Sequence, residues 1–360
     1  MDASQVGRLT ARWIAELPGE DSTVISGLGV QPLLAMLAEV ADEPAHTELA
    51  EAAGGRYGGL LEAPDLRMAL GLWTRPEIEL QPGVDRFLPP EVRGTLTDRA
   101  ALDAWVVERT DGLLRRMPVQ LTPDVLLVLA SALVLKTEWA LPFEEYRRND
   151  RRWLSRADPD LDSLQVYETA TGPLTALTVR GTGEFDVRLV VGDGGRAAVL
   201  GAALELDGDG LGGTEVLAAE RSAPGVEVIE SLQPVVALSM PYFEIEAEHD
   251  LLEHASVFGL SAASDPRTGH FPGLSPQPLA IGQAKQAVLA RFSATGFEAA
   301  AVTAMPMAAG SAAFGAKALY VNLERPFGFV AVHRPTGVPA VAGWVNLGPT
   351  RRGWLGRSPA

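Results

Sequence analysis

No cysteine occurs among the 360 residues, which excludes disulfide cross-links, thiolate nucleophiles and sulfur-ligated metal sites. Basic residues are in deficit: 30 Lys and Arg face 46 Asp and Glu, a net charge of −16. That balance repels polyanions, so neither nucleic acid nor an anionic membrane surface is an expected partner. Long apolar runs are missing as well. The longest, from Val125 to Leu135, is broken by Ser131 and is too short to cross a bilayer. The start, Met1-Asp2-Ala3-Ser4-Gln5, has no basic region followed by an apolar stretch, and a cytoplasmic location is the expectation that follows.

Signatures of local catalysis are equally scarce. No serine sits in a Gly-x-Ser-x-Gly elbow, and no sequence motif pairs a serine with a histidine and a carboxylate. Of the five histidines, His46, His270 and His333 are isolated, while His249 and His254 lack zinc spacing and read as surface groups. The run Gly208-Asp209-Gly210-Leu211-Gly212-Gly213 has the glycine spacing of a dinucleotide loop. Asp207 and Asp209 would repel a pyrophosphate, however, and the spaced oxygen ligands of a calcium loop are absent, so the run reads as a flexible turn. No catalytic residue, metal ligand set or cofactor is assigned.

What is present is material for a large core, with hydrophobic residues at 47%. Val6, Leu9, Trp13, Ile14 and Leu17 recur at helical spacing before Pro18-Gly19 ends the pattern. A second helix fits Pro32 to Val40. A third fits Leu96 to Leu114, with Thr97 as cap and Leu102, Trp105, Val106, Arg109 and Leu113 on one face. Val125 to Leu135 reads as a strand covered on both faces. Phe185 to Val191 alternates as a strand, Gly192 to Gly195 turns, and Ala197 to Leu204 is expected to return as its partner. Phe327 to Val332 and Val338 to Val345 form a second hairpin around Arg334-Pro335-Thr336-Gly337. Helices early and antiparallel strands later give an α+β fold, with residues 1–360 as one domain. One segment stands apart. From Ala294 to Lys317 the chain is almost all small residues and Met, interrupted by Pro306, Gly310 and Gly315, and reads as a long exposed loop between strands.

In order and spacing, motifs spread over residues 5–350 resemble the serpin family, as a divergent member of bacterial type. Thr23 to Val30 with Leu33 to Leu37 is similar to the entry to the family's second helix. Leu102-Asp103-Ala104-Trp105-Val106 with Thr110-Asp111-Gly112 is similar to its helix leading to the central sheet. Ser131 to Trp139, then Pro142-Phe143, resembles its Asn-Ala-x-Tyr-Phe-Lys-Gly-x-Trp strand. Met240 to Glu246, Phe258-Gly259-Leu260 and Phe271 to Ser275 follow in the family's order. Gly296, Phe297, Glu298, Ala299, Ala300, Ala301, Val302 and Thr303 resemble the reactive-loop hinge. Arg325-Pro326-Phe327-Gly328-Phe329 and Gly343-Trp344-Val345-Asn346 are like the closing hairpin.

The resemblance implies a large, mostly antiparallel central sheet with helices packed on it, a second β-sheet region, and a reactive loop over about residues 294–317. It also implies an activity. A target serine or cysteine protease attacks the loop, the cut end inserts into the central sheet, and the acyl-enzyme is trapped. A monomer with a protease partner, and no enzymatic activity of its own, is expected. Counting from the hinge places the scissile bond near Gly310-Ser311, and counting back from Pro326 moves it toward Gly315. Small, Met-rich residues (Met305, Met307, Phe314) fit an elastase- or subtilisin-like protease, and Lys317 is the lone basic option.

Several positions depart from the family pattern. Phe297 replaces a small hydroxyl residue, so that insertion would have to bury a ring at an overpacking cost of about 1–3 kcal/mol. Ala294 and Thr295 replace paired acids, and Tyr242 replaces their basic partner, while Trp139 is retained. Where the sheet must open, Ser26 is kept while its usual neighbours Pro and Ser are Gly27 and Gly29, Ser131 replaces Asn, and the family's His aligns with Gln286 or Lys285. These departures motivate the alternative of a non-inhibitory serpin-fold protein reassigned to small-molecule binding or catalysis.

Overall fold

The computed structural model describes residues 2–55, 58–206, 208, 210–297 and 315–348. Three sheets organise them. The central sheet runs β3 (Arg93–Thr95), β2 (Leu66–Thr74), β4 (Leu127–Leu135), β15 (Gln283–Phe292), β16 (Gly296–Phe297) and β5 (Thr137–Glu138), and β14 (Phe243–Asp250) pairs with the other edge of β15. Its pairings are antiparallel except β2–β3 and β4–β15. A seven-stranded sheet runs β1 (Thr23–Ile25), β19 (Pro339–Val345), β18 (Phe327–His333), β10 (Phe185–Gly192), β9 (Gly172–Arg180), β8 (Leu164–Thr169) and β11 (Leu211–Gly212). The third runs β12 (Val226–Ser231), β17 (Ala316–Asn322), β13 (Val236–Pro241), β7 (Arg151–Asp158) and β6 (Glu144–Arg148).

All nine residues of β4 are buried, as an apolar run lacking alternation requires. Around the sheets lie α1 (Ala3–Glu16), α2 (Gln31–Ala38), α3 (Ala45–Ala53), α4 (Arg99–Arg109), α5 (Arg196–Leu204), α6 (Gly213–Ala218) and α7 (Ala255–Phe258). Helix α1 buries Val6, Leu9, Trp13 and Ile14, the spacing expected of an amphipathic helix. Helix α2 starts and ends earlier than Pro32 to Val40. The expected third helix is shorter than Leu96 to Leu114, because the Asp98 side chain, rather than Thr97, accepts from Ala101 N and fixes the N-terminus.

Two expectations fail. Ala197 to Leu204 is not a return strand but most of α5. Its four alanines favour helix, and Val199, Leu200 and Ala203 share a buried stripe facing β18 and β10. The true partners of β10 are β9 and β18. His249 is not a surface group: its ring meets Trp13 edge-on at 5.1 Å, and Nε2 lies 2.9 Å from the Val24 carbonyl.

Burial is the largest influence on His249 and holds its pKa below the ordinary 6.5. The charges of His254 and Arg196 act the same way, against the Val24 carbonyl and Glu253. An unfolded histidine takes up a proton below 6.5 while the folded one resists. Stability from this site is therefore full above that pH and is lost as pH falls toward the depressed folded value. Thermal melting across about pH 5–8 should show this loss. His249→Gln, which keeps a donor for Val24 O, should flatten that part of the profile.

The ends of the expected 294–317 loop also differ from the sequence reading. Gly296–Phe297 is a strand, and Ala316 and Lys317 already belong to β17. β17 is held on both sides, antiparallel to β12 and parallel to β13, which is why its first residues are sheet rather than loop. Glu298, Ala299, Ala300, Ala301, Val302, Thr303, Met305, Met307, Gly310, Ser311 and Phe314 lie outside the described residues, as do Asp207 and Asp209.

Candidate functional site: the closed central sheet

β4 and β15 run side by side in parallel, in register from Gln283 opposite Val128 to Leu289 opposite Val134. In the middle of this ladder Ser131 faces Gln286, and both are fully buried. A buried side-chain amide must find partners for its donors and acceptor. Gln286 Oε1 accepts from Ser26 N at 2.9 Å, and Nε2 donates to Ser26 O at 2.9 Å and to Ser131 Oγ at 3.3 Å. The Ser26 hydroxyl donates to Ala340 O on β19 at 2.6 Å and accepts from Gly29 N at 3.0 Å. One polar knot thus ties β4, β15, the turn after β1 and β19.

Gln286 and Lys285 meet different neighbours. Lys285 points to the β14 side, where Nζ pairs with Asp250. The two glycines that follow Ser26, Gly27 and Gly29, are also explained. A Cβ on Gly29 would lie 2.7 Å from Ser131 Oγ, and one on Gly27 would lie 2.2 Å from Thr10 Oγ1, so neither position has room for a side chain.

At the top of the ladder the chain leaves β15 and turns back. Ser293 Oγ donates to Gly296 O at 2.9 Å and accepts from Gly296 N at 3.2 Å, closing a turn over Ser293 to Gly296. Trp139 clamps this turn, with Nε1 donating to Ser293 O at 3.0 Å and its backbone N donating to Thr295 O at 2.9 Å. Phe143 N donates to Ala294 O at 2.7 Å. The carbonyls of Ala294 and Thr295 therefore supply attachments that the missing acids cannot.

β16 then enters between β15 and β5, antiparallel to both, with Phe297 opposite Phe292 and Thr137. The Phe297 ring is fully buried. It meets Phe292 edge-on at 6.4 Å and Phe329 at 6.0 Å, while Phe243 and Trp139 complete the cluster around Phe292 at 5.5 and 4.6 Å. Gly343 makes room for this cluster, since a Cβ there would lie 2.3 Å from the Phe329 ring. The ring is thus already seated with the sheet closed below it, in a niche built for its size. Overpacking on insertion is not the problem the sequence pointed to.

Tyr242 lies just beyond β13, between Arg152 and Glu244. The Arg152 guanidinium stacks 3.9 Å over its ring, and its hydroxyl donates to Glu244 at 2.9 Å. Burial pushes the Tyr242 phenol up, and Arg291 holds the Glu244 carboxyl down. The aromatic seat (Phe243, Phe292, Phe329) and the Ser293 turn escaped sequence reasoning because they join three separate segments. The only local signal was the density of Phe in Arg325 to Phe329. Among the described residues no cluster of three or more His, Asp or Glu could hold a metal ion, and no helix is long and apolar enough to cross a membrane.

Comparison with known proteins agrees with this geometry. The family described as Serpin (serine protease inhibitor) matches residues 220–347. Plasminogen activator inhibitor 1 of Sus scrofa is 24% identical over 372 aligned residues, covering 95% of this chain and 91% of the relative. The native-state structure of the thermophilic serpin Tengpin superposes with a TM-score of 0.71 at 17% identity, covering 95% of this chain and 93% of that one. Human thyroxine-binding globulin complexed with its hormone superposes at 0.68 with 18% identity, covering 95% and 96% of the two chains. The chain therefore has the serpin fold along its length, and its C-terminal part, residues 220–347, is similar to the serpin family.

Proposed function

We infer that this protein inhibits a serine or cysteine protease by the serpin route. The carrying observation is the state of the central sheet: β4 and β15 paired directly, with β16 already entering above them, antiparallel to β15 and β5. Cleavage beyond the hinge separates β16 from β17. The freed segment can then continue along the direction of β16, between β4 and β15. That step exchanges one parallel ladder for two antiparallel ones, and parallel pairing is slightly less stable per residue. Ala299, Ala300 and Ala301 are small enough to pass between existing strands. The gain in sheet hydrogen bonds and buried surface is the source of work for displacing the acyl-linked protease.

A scissile bond near Gly310-Ser311 and an elastase- or subtilisin-like target are the finer parts of this reading, supported by the small, Met-rich composition of the segment. Incubation with elastase-type and subtilisin-type proteases is expected to give a covalent band on a denaturing gel. Cleavage within residues 298–314 is expected to raise the melting temperature strongly. Clean cleavage with no covalent band and no thermal gain would overturn the inhibitory reading.

A further inference from the structure

The β6–β7 hairpin roofs a cavity of about 320 Å³ where the five- and seven-stranded sheets meet. Its floor is apolar: Trp153 on β7, Pro241 ending β13, Leu323 just after β17, Phe327 opening β18 and Val345 closing β19, all buried. Its rim carries Arg148, Arg151 and Arg325, a local excess of positive charge on a chain of net −16.

The three guanidiniums are not equivalent. Arg148 pairs with Glu324 and lies 5.2 Å over the Trp153 ring. Arg325 faces Asp193 at 3.2 Å. Arg151 donates to the Leu347 carbonyl at 3.1 Å and has no carboxylate partner among the described residues. The cavity therefore has an aromatic and aliphatic floor, two neutralised arginines and one guanidinium whose charge is unmatched. Pockets of this size that join apolar walls to a few fixed polar groups are the common form of a small-molecule site. A guanidinium is also the side chain suited to bidentate recognition of a planar anion.

We propose that this cavity is a binding site for a small organic monoanion, a flat apolar body carrying one carboxylate or sulfonate. The apolar body lies on Trp153, Phe327 and Val345, and the anionic group meets Arg151 at the rim. A dianion is disfavoured because Glu324 and Asp193 flank the remaining two arginines. The site lies outside the Ser26–Ser131–Gln286 knot and does not depend on protease inhibition.

Calorimetric titration of the full chain with 2-naphthoate, and with the neutral 2-naphthalenemethanol, tests the proposal. Saturable 1:1 binding of the anion is expected, at least about tenfold tighter than the alcohol, with affinity falling as salt rises. Arg151→Gln should weaken the anion about tenfold and leave the alcohol unchanged, and Trp153→Leu should weaken both. Absence of saturable binding, equal binding of anion and alcohol, or an Arg151→Gln variant that binds like the parent would each overturn the assignment. The anion-to-alcohol ratio and salt dependence of the unmodified protein decide the matter should either variant fold poorly.

Discussion

Phe297→Ala is expected to destabilise the intact protein by about 3–5 kcal/mol, the range for deleting a fully buried ring. The niche cannot close easily around the lost volume. Phe292 and Phe329 are themselves fixed, the first by Trp139 and Phe243, the second by its close approach to Gly343. The loss should appear equally before and after loop cleavage, because β16 already occupies its place in the sheet. Urea unfolding of intact and cleaved forms, each with Phe or Ala at 297, measures both values. An obstructive ring would give the opposite pattern, with the alanine variant gaining stability only on cleavage.

The second large effect concerns the polar knot under the sheet. Gln286→Met keeps the volume and removes the amide, leaving the Ser26 N–H and C=O without partners in a site closed to water. Each orphaned buried group costs about 1–3 kcal/mol, so a loss of about 2–5 kcal/mol is expected. Ser131→Ala should cost less, since its bond to Gln286 is the longest of the three at 3.3 Å. That inequality carries mechanistic content. Parting β4 from β15 breaks the Ser131 contact, whereas Gln286 can keep both bonds to Ser26. Hydrogen exchange at Ser26 N–H, faster in Gln286→Met and nearly unchanged in Ser131→Ala, is the direct readout. Equal effects from the two substitutions would show that the knot fails as a unit.

Much of the architecture was legible along the chain because it is written in local periodicity. The 3.6-residue stripe of Val6 to Ile14, the unbroken apolar run of β4 and the alternation of β10 each specify burial without reference to distant residues. The α5 segment misled because an Ala-rich apolar stretch after a glycine turn suits a returning strand as well as a helix. Its packing against β18, more than a hundred residues later, decides the matter. His249 was misread for the same reason: Trp13 and Val24, which bury it, lie on other elements.

The site divides along the same line. Ser26, Ser131 and Gln286 could be named from motif positions, but their mutual bonds form only when β1, β4 and β15 come together. By itself the sequence determined the family resemblance, the unbroken apolar run of β4 and the small-residue composition of the segment after Gly296. It also marked Phe297 as out of place, since a bulky ring at a position that usually carries a hydroxyl is visible without coordinates. Only the tertiary structure decided what that ring does. Whether a large side chain obstructs or anchors depends on the volume opposite it, and that volume is supplied by Phe292, Phe329 and the bare backbone of Gly343 from three separate strands.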